Sequence, residues 1–197
     1  MKLFKSFMTK LTGFLAKAVS KVARPELIIE DADVAKIRAN LKNGDALVTR
    51  VNFELSNEIE KFLTGSFWGH VGIYLDGHVY EAVTGGVRKV TLEKFCYIKD
   101  GIGLCRLQGS DWTPEQVAGM VEFCEAQHGE PYDFSLDWGP TNKWYCSKLV
   151  YFAWNIGKVT ETEAIESINL LGLKKIAPQN VWDSTVQVLK CGYTNKK

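Results

Sequence analysis

The chain has 197 residues, of which 46% are hydrophobic, 12% aromatic and 24% charged. That balance supports a buried core and excludes a disordered chain, a collagen-like repeat or a small disulfide scaffold. A net charge of +1 argues against a dedicated nucleic-acid binder, which carries a basic excess, and Lys or Gly interrupts every apolar run well short of a bilayer span.

Residues 1–24 stand apart from the rest. Lys2, Lys5, Lys10, Lys17, Lys21 and Arg24 face no acidic residue there, whereas the other 18 basic residues are set against all 23 acidic ones. Leu3, Phe4, Phe7, Met8, Leu11, Phe14, Leu15, Ala18, Val19 and Val22 recur every three or four positions. This predicts an amphipathic helix with a basic opposite face, ended near Arg24-Pro25. Lys10 and Lys17 break the apolar positions, so the segment lacks the continuous apolar stretch of a signal peptide. The expected organisation is this helix over residues 1–24 and one globular domain over residues 25–197.

Within the domain, a helix is predicted around Asp33–Leu41, stopped by Asn43-Gly44. Asp45–Val51 reads as the first strand and Leu55–Leu63 as a short helix. From Gly69 the pattern has period two: Val71, Ile73 and Leu75 alternate with His70, Gly72 and Tyr74. After Asp76-Gly77 the run Val79–Val83 continues it, and an Asp-Gly pair between alternating runs signals a hairpin. Further strands are expected near Gly86–Val90 and Gly103–Leu107. Thr113-Pro114-Glu115-Gln116 starts a helix with Thr as N-cap and Pro at the first helical position; it presents Val117, Met120, Val121 and Cys124. A loop over Gly129–Trp144 opens onto a helix, Tyr145–Ile156, with positions 146, 149, 150 and 153 on one stripe. A short helix after Pro178 and a strand at Thr185–Lys190 complete an α+β chain.

Cys96, Cys105, Cys124, Cys146 and Cys191 form an odd set without a CxxC pair, which argues against structural zinc and against a full disulfide framework. A reducing, cytoplasmic location is the economical reading. Cys124 and His128 have the spacing of a helical metal pair, but no second pair completes a site, so they read as core and helix end. No metal or cofactor is expected. His78 follows the turn and reads as solvated.

Taking Asp76-Gly77 as a two-residue loop, Leu75 pairs with His78 and paired residue numbers sum to 153. His70 then lies opposite Val83, and Gly72 opposite Glu81. His70 and Glu81 share a face as diagonal neighbours, their Cβ atoms roughly 7 Å apart, and Gly72 leaves the space between them open. A carboxylate that fixes one imidazole nitrogen leaves the other as an oriented base. Taken alone, the pair also reads as a half-buried sheet histidine beside a solvated glutamate. Cys146 changes the balance. At a helix start, backbone N–H groups and positive potential lower a thiol pKa and can bind an oxyanion.

Five segments now stand in order: Gly44-Asp45-Ala46-Leu47-Val48, Gly69-His70-Val71-Gly72-Ile73-Tyr74, Val79-Tyr80-Glu81-Ala82, Gly129-Glu130-Pro131-Tyr132-Asp133 and Trp144-Tyr145-Cys146-Ser147-Lys148-Leu149-Val150. Over roughly residues 40–185 the set resembles the circularly permuted, YiiX/YaeF-like branch of the NlpC-type papain-like superfamily. The order His, acidic residue, Cys is its most specific feature, since unpermuted relatives put Cys first. The resemblance implies a papain-like antiparallel sheet or barrel packed on helices, with Cys146 as nucleophile, His70 as base and Glu81 as the orienting carboxylate. It implies Tyr132 beside the nucleophile as an oxyanion or substrate donor. Lys148 departs from the Glu that relatives commonly carry, at a position expected to point away from the site.

The leading reading is a thiol hydrolase or acyltransferase acting on a peptide, amide or lipid acyl bond. The competing one is a non-catalytic lipid-binding or membrane-docked module of the same fold. Trp68, Trp138 and Trp144 flank the site in sequence and suit either an apolar channel or core packing. A complete triad favours the enzyme. The helix over residues 1–24 suits docking on an anionic membrane and, equally, packing on its own domain or a second subunit. Docking predicts that the full chain sediments with anionic liposomes while a chain lacking residues 1–24 stays in the supernatant; equal recovery of both in the supernatant excludes it.

Overall fold

A computed structural model describes residues 29–50, 67–97, 99–136, 138–139, 141–157, 168–170 and 173–192. The helices expected over residues 1–24 and Leu55–Leu63 lie outside the described residues.

Helix α1, Asp31–Asn40, carries Asp31 and Asp33 in its first turn, where acidic groups complement the helix dipole. The chain then turns through Gly44, at φ +84°, and enters strand β1, Ala46–Arg50. Strands β2, His70–Leu75, and β3, His78–Val83, form the expected hairpin. Asp76 (φ +45°) and Gly77 (φ +79°) supply the two positive dihedrals of its turn. Leu75 pairs with His78, Tyr74 with Val79 and Ile73 with Tyr80. Strand β4, Gly86–Val90, follows and places Arg88 directly opposite Glu81. Helix α2, Leu92–Cys96, was not foreseen: five residues are too few for periodicity, and its sign is the Thr91 side chain accepting from Lys94 N.

Strand β5, Gly101–Arg106, leads to helix α3, Pro114–Ala126, whose Thr113–Gln116 capping box is present as read. Helix α4, Cys146–Gly157, precedes a small unforeseen hairpin, β6 (Ile168–Leu170) and β7 (Leu173–Lys175). Helix α5, Pro178–Asp183, and strand β8, Val186–Gly192, complete the described elements.

Six strands make one antiparallel sheet in the order β4-β3-β2-β1-β5-β8. Strands β4 and β8 stay at its edges, so the sheet is open and does not close into a barrel. Alternation along the strands gives it two apolar faces. Val48, Val71, Ile73 and Tyr80 pack with Met120, Cys124, Val150, Ala153 and Trp154 of α3 and α4. On the other face Leu47, Val79, Ile102 and Leu104 pack with Ile37 of α1 and Leu92 and Phe95 of α2.

Two polar ties fix the start of β1. Trp154 Nε1 donates to Gly44 O at 2.7 Å, joining α4 to the turn. Arg106 grips the buried Asp45 carboxylate with Nε and Nη2, each at 2.7 Å. Removing one partner of a buried ion pair strands the other. Asp45→Ala should therefore lower the urea midpoint by an amount equivalent to about 3 kcal/mol, against about 1 kcal/mol for loss of the cap in Thr113→Ala.

Candidate active site

His70 opens β2 and Glu81 lies within β3, both buried. Their side chains meet as the hairpin register requires: His70 Nε2 and Glu81 Oε2 are 2.6 Å apart. Arg88 of β4 donates to the other carboxylate oxygen, Oε1, from Nε at 2.8 Å, with Nη2 at 2.7 Å. Burial pushes the Glu81 carboxyl up, but the His70 hydrogen bond and the charges of His70 and Arg88 outweigh it and bring the pKa down from 4.5 to about 2. An ionised carboxylate only accepts, so His70 Nε2 is the donor and Nδ1 is left as the nitrogen that can take a proton.

The space over Gly72 is filled, which corrects the expectation of an opening. A Cβ built there would lie 2.7 Å from Val79 Cγ1 and 2.9 Å from Phe95 Cε2. Phe95 of α2 also packs beside the imidazole, with ring centroids 6.0 Å apart. Gly72 therefore admits Phe95, which walls the His70–Glu81 pair from one side.

Cys146 is the first residue of α4 and is buried. Its stripe partners Leu149, Val150 and Ala153 are buried too, with Ser147, Lys148 and Trp154. Helix α4 packs on the face of Val71, Ile73 and Tyr80, whereas His70 and Glu81 project to the face of Phe95. The direction of the helix fixes which end of the sheet Cys146 occupies. Trp154 bonds to Gly44, beside the start of β1, while Leu149 packs with Ala82 and Val87, near the other end of the strands. The helix thus starts at the end of the sheet where β2 begins with His70.

The loop before Cys146 is held by backbone. Trp144 N donates to Pro131 O and Asp133 N to Trp144 O, each at 3.0 Å, which sets Tyr132 alongside Trp144. Trp144 Nε1 donates to Gln127 Oε1 at 3.0 Å, and its ring packs on Phe123 and Phe152. Trp68, 1% exposed, packs against Phe67 and Trp182, and Trp138 packs against Tyr151 and Phe152. All three indoles sit in core contacts.

The Lys148 side chain is buried, and Nζ donates to Gly139 O at 3.0 Å and to Thr141 Oγ1 and Lys143 O at 3.2 Å. The ammonium also lies 5.2 Å from the Trp144 ring centroid. It fastens the loop that delivers Cys146, a role its place one turn into an apolar helix gives no sign of. Arg88 was likewise missed; the signal available was the Thr84-Gly85 turn, which pairs Val83 with Gly86 and so sets Arg88 opposite Glu81.

The other four cysteines are free and buried. Burial pushes Cys96, Cys105 and Cys124 up to about 12 and raises Cys191. His78 Nδ1 lies 3.0 Å from Asp76 O in the exposed turn.

The sequence matches the family model described as permuted papain-like amidase enzyme, YaeF/YiiX, over residues 40–188. Among solved structures it is similar to the metalloprotein yiiX from Escherichia coli, at 20% sequence identity and a TM-score of 0.67 over 77% of this chain and 98% of that one. No curated protein matches it. Among the described residues no three His, Cys, Asp or Glu side chains converge as metal ligands, and His70 and Glu81 spend their facing atoms on each other. These residues therefore do not fit a three-ligand metal site.

Because the Glu81 carboxyl sits below its ordinary pKa, its contribution to stability is complete above pH 4.5 and is lost as pH falls towards 2. The loss is on the order of 3 kcal/mol. Urea unfolding at stepped pH should show this decline, and Glu81→Gln should flatten it.

Proposed function

The chain belongs to the permuted papain-like amidases of the YaeF/YiiX family, cysteine hydrolases acting on amide bonds, and we propose that Cys146, His70 and Glu81 are its catalytic groups. The observation that carries the assignment is the Glu81–His70 hydrogen bond through Nε2, at the same end of the sheet as the start of α4. It leaves Nδ1 of His70 for the proton of the Cys146 thiol.

In this reading the Cys146 sulfur, as thiolate, attacks the carbonyl carbon and the π electrons move onto the oxygen. The N–H groups of the first turn of α4 and the Tyr132 hydroxyl donate to that oxyanion. As the tetrahedral intermediate collapses, His70 passes its Nδ1 proton to the departing amine and a thioester remains on Cys146. Water then gives a proton to Nδ1 while its oxygen attacks the thioester; the carboxylic acid leaves and the sulfur is regenerated. Glu81 stays ionised throughout and stabilises the imidazolium in each half.

The contrast among cysteines gives a direct test. Iodoacetamide at pH 6, followed by peptide mapping, should label Cys146 first, since it alone of the five begins a helix, while burial without such help keeps Cys96, Cys105 and Cys124 protonated. Labelling of Cys146 no faster than the others, together with undiminished activity in Cys146→Ser, would falsify the assignment. Glu81→Gln should keep the fold and lower turnover by about 10- to 100-fold, while His78→Ala should leave turnover nearly unchanged.

A further inference from the structure

We propose that Arg88 is a positioning residue of the hydrolytic site, one that locks the Glu81 carboxylate so that only Oε2 is presented to His70; this rests on the triad assigned above. Three observations carry it.

The first is register. Glu81 and Arg88 are directly paired across β3 and β4, so the guanidinium reaches the carboxylate without leaving its own face. The second is the division of the carboxylate. Arg88 takes Oε1 with both Nε and Nη2, and His70 takes Oε2. A carboxylate held at one oxygen can rotate about its Cγ–Cδ bond; held at both, by a guanidinium and an imidazole, it cannot do so without breaking one set. The third is the carrier strand. Although β4 is an edge of the sheet, Val87 N donates to Glu130 O and Gly129 N to Val87 O, each at 2.9 Å. Gly86 permits that approach: its φ is +107°, and a Cβ there would lie 2.7 Å from Glu130 O. Strand β4 is therefore fastened to the segment that runs on to Tyr132 and Trp144. Arg88 belongs to the same frame as the loop that delivers the nucleophile.

Two roles for Arg88 differ in sign. As a positive charge alone it would oppose protonation of His70, and its removal would favour the thiolate–imidazolium pair. As a clamp it holds the acceptor that the imidazolium needs, and its removal weakens the pair. The buried carboxylate and its two separately bonded oxygens point to the clamp.

Alkylation of Cys146 by iodoacetamide at pH 6 in the full chain reads that pair without a substrate. Arg88→Ala should slow it by about fivefold, the scale of one partly exposed charge-assisted hydrogen bond, and Arg88→Lys should fall between the two. Half of the Arg88 side chain faces solvent, so ethylguanidinium can reach the vacated place. It should restore most of the rate in Arg88→Ala and none in Glu81→Gln, a response that a general loss of structure would not give. An Arg88→Ala rate equal to or above that of the natural chain overturns the proposal, as does a slowed rate that ethylguanidinium fails to restore. His70→Ala separates the two levels: an unslowed rate there removes the triad itself, whereas a slowed rate beside an unchanged Arg88→Ala removes only the clamp.

Discussion

The candidate site depends on a two-residue turn. Asp76 and Gly77 both take positive φ, and that geometry leaves β2 and β3 one register. A slip of one residue would send Glu81 to the side of Tyr80 and leave a carboxylate among the side chains of α3 and α4. The turn is held from outside the hairpin as well. Asn43 Oδ1 accepts from Asp76 N at 2.8 Å, Gly44 N donates to Tyr74 O, and Tyr74 N donates to Asp45 O. The approach to β1 therefore clamps the hairpin whose far end carries His70.

Burying Glu81 is costly, and the structure offsets that cost with two donors, the His70 imidazole and the Arg88 guanidinium, rather than with solvent. Asp45 is handled the same way, by a guanidinium that reaches both of its oxygens. Lys148 receives a different solution: its ammonium is surrounded by loop carbonyls, a hydroxyl and an aromatic face. Two of these buried charges fix parts of the candidate site, the His70 imidazole through Glu81 and the loop before Cys146 through Lys148.

Helix α4 joins packing to chemistry. Its apolar stripe anchors it to the sheet, and the Trp154–Gly44 bond sets which end is which. A helix running the other way would bury the same area and carry Cys146 away from His70. All five cysteines lie within the apolar clusters; Cys146 differs from the others in standing at the first residue of a helix, where the N-terminal potential favours a thiolate.

The sequence by itself determined the elements whose cause is local. The Asp-Gly turn, the period-two runs, the Thr113 cap and the stripe of Tyr145–Ile156 each depend on neighbours in the chain, and the hairpin register placed His70 beside Glu81 for the same reason. What only the tertiary structure decided involves residues far apart. Phe95 fills the space over Gly72 because α2 folds over that face, and a five-residue helix leaves no period to read. Lys148 is buried because the Gly139–Lys143 loop wraps its ammonium, which a lysine on a helix does not announce. Arg88 reaches the second oxygen of Glu81 because β4 pairs with β3, and among the described residues the sheet stays open with β4 and β8 at its edges. Local propensity fixes dihedrals and faces; which faces meet, and which buried charge finds which partner, is settled when the layers pack.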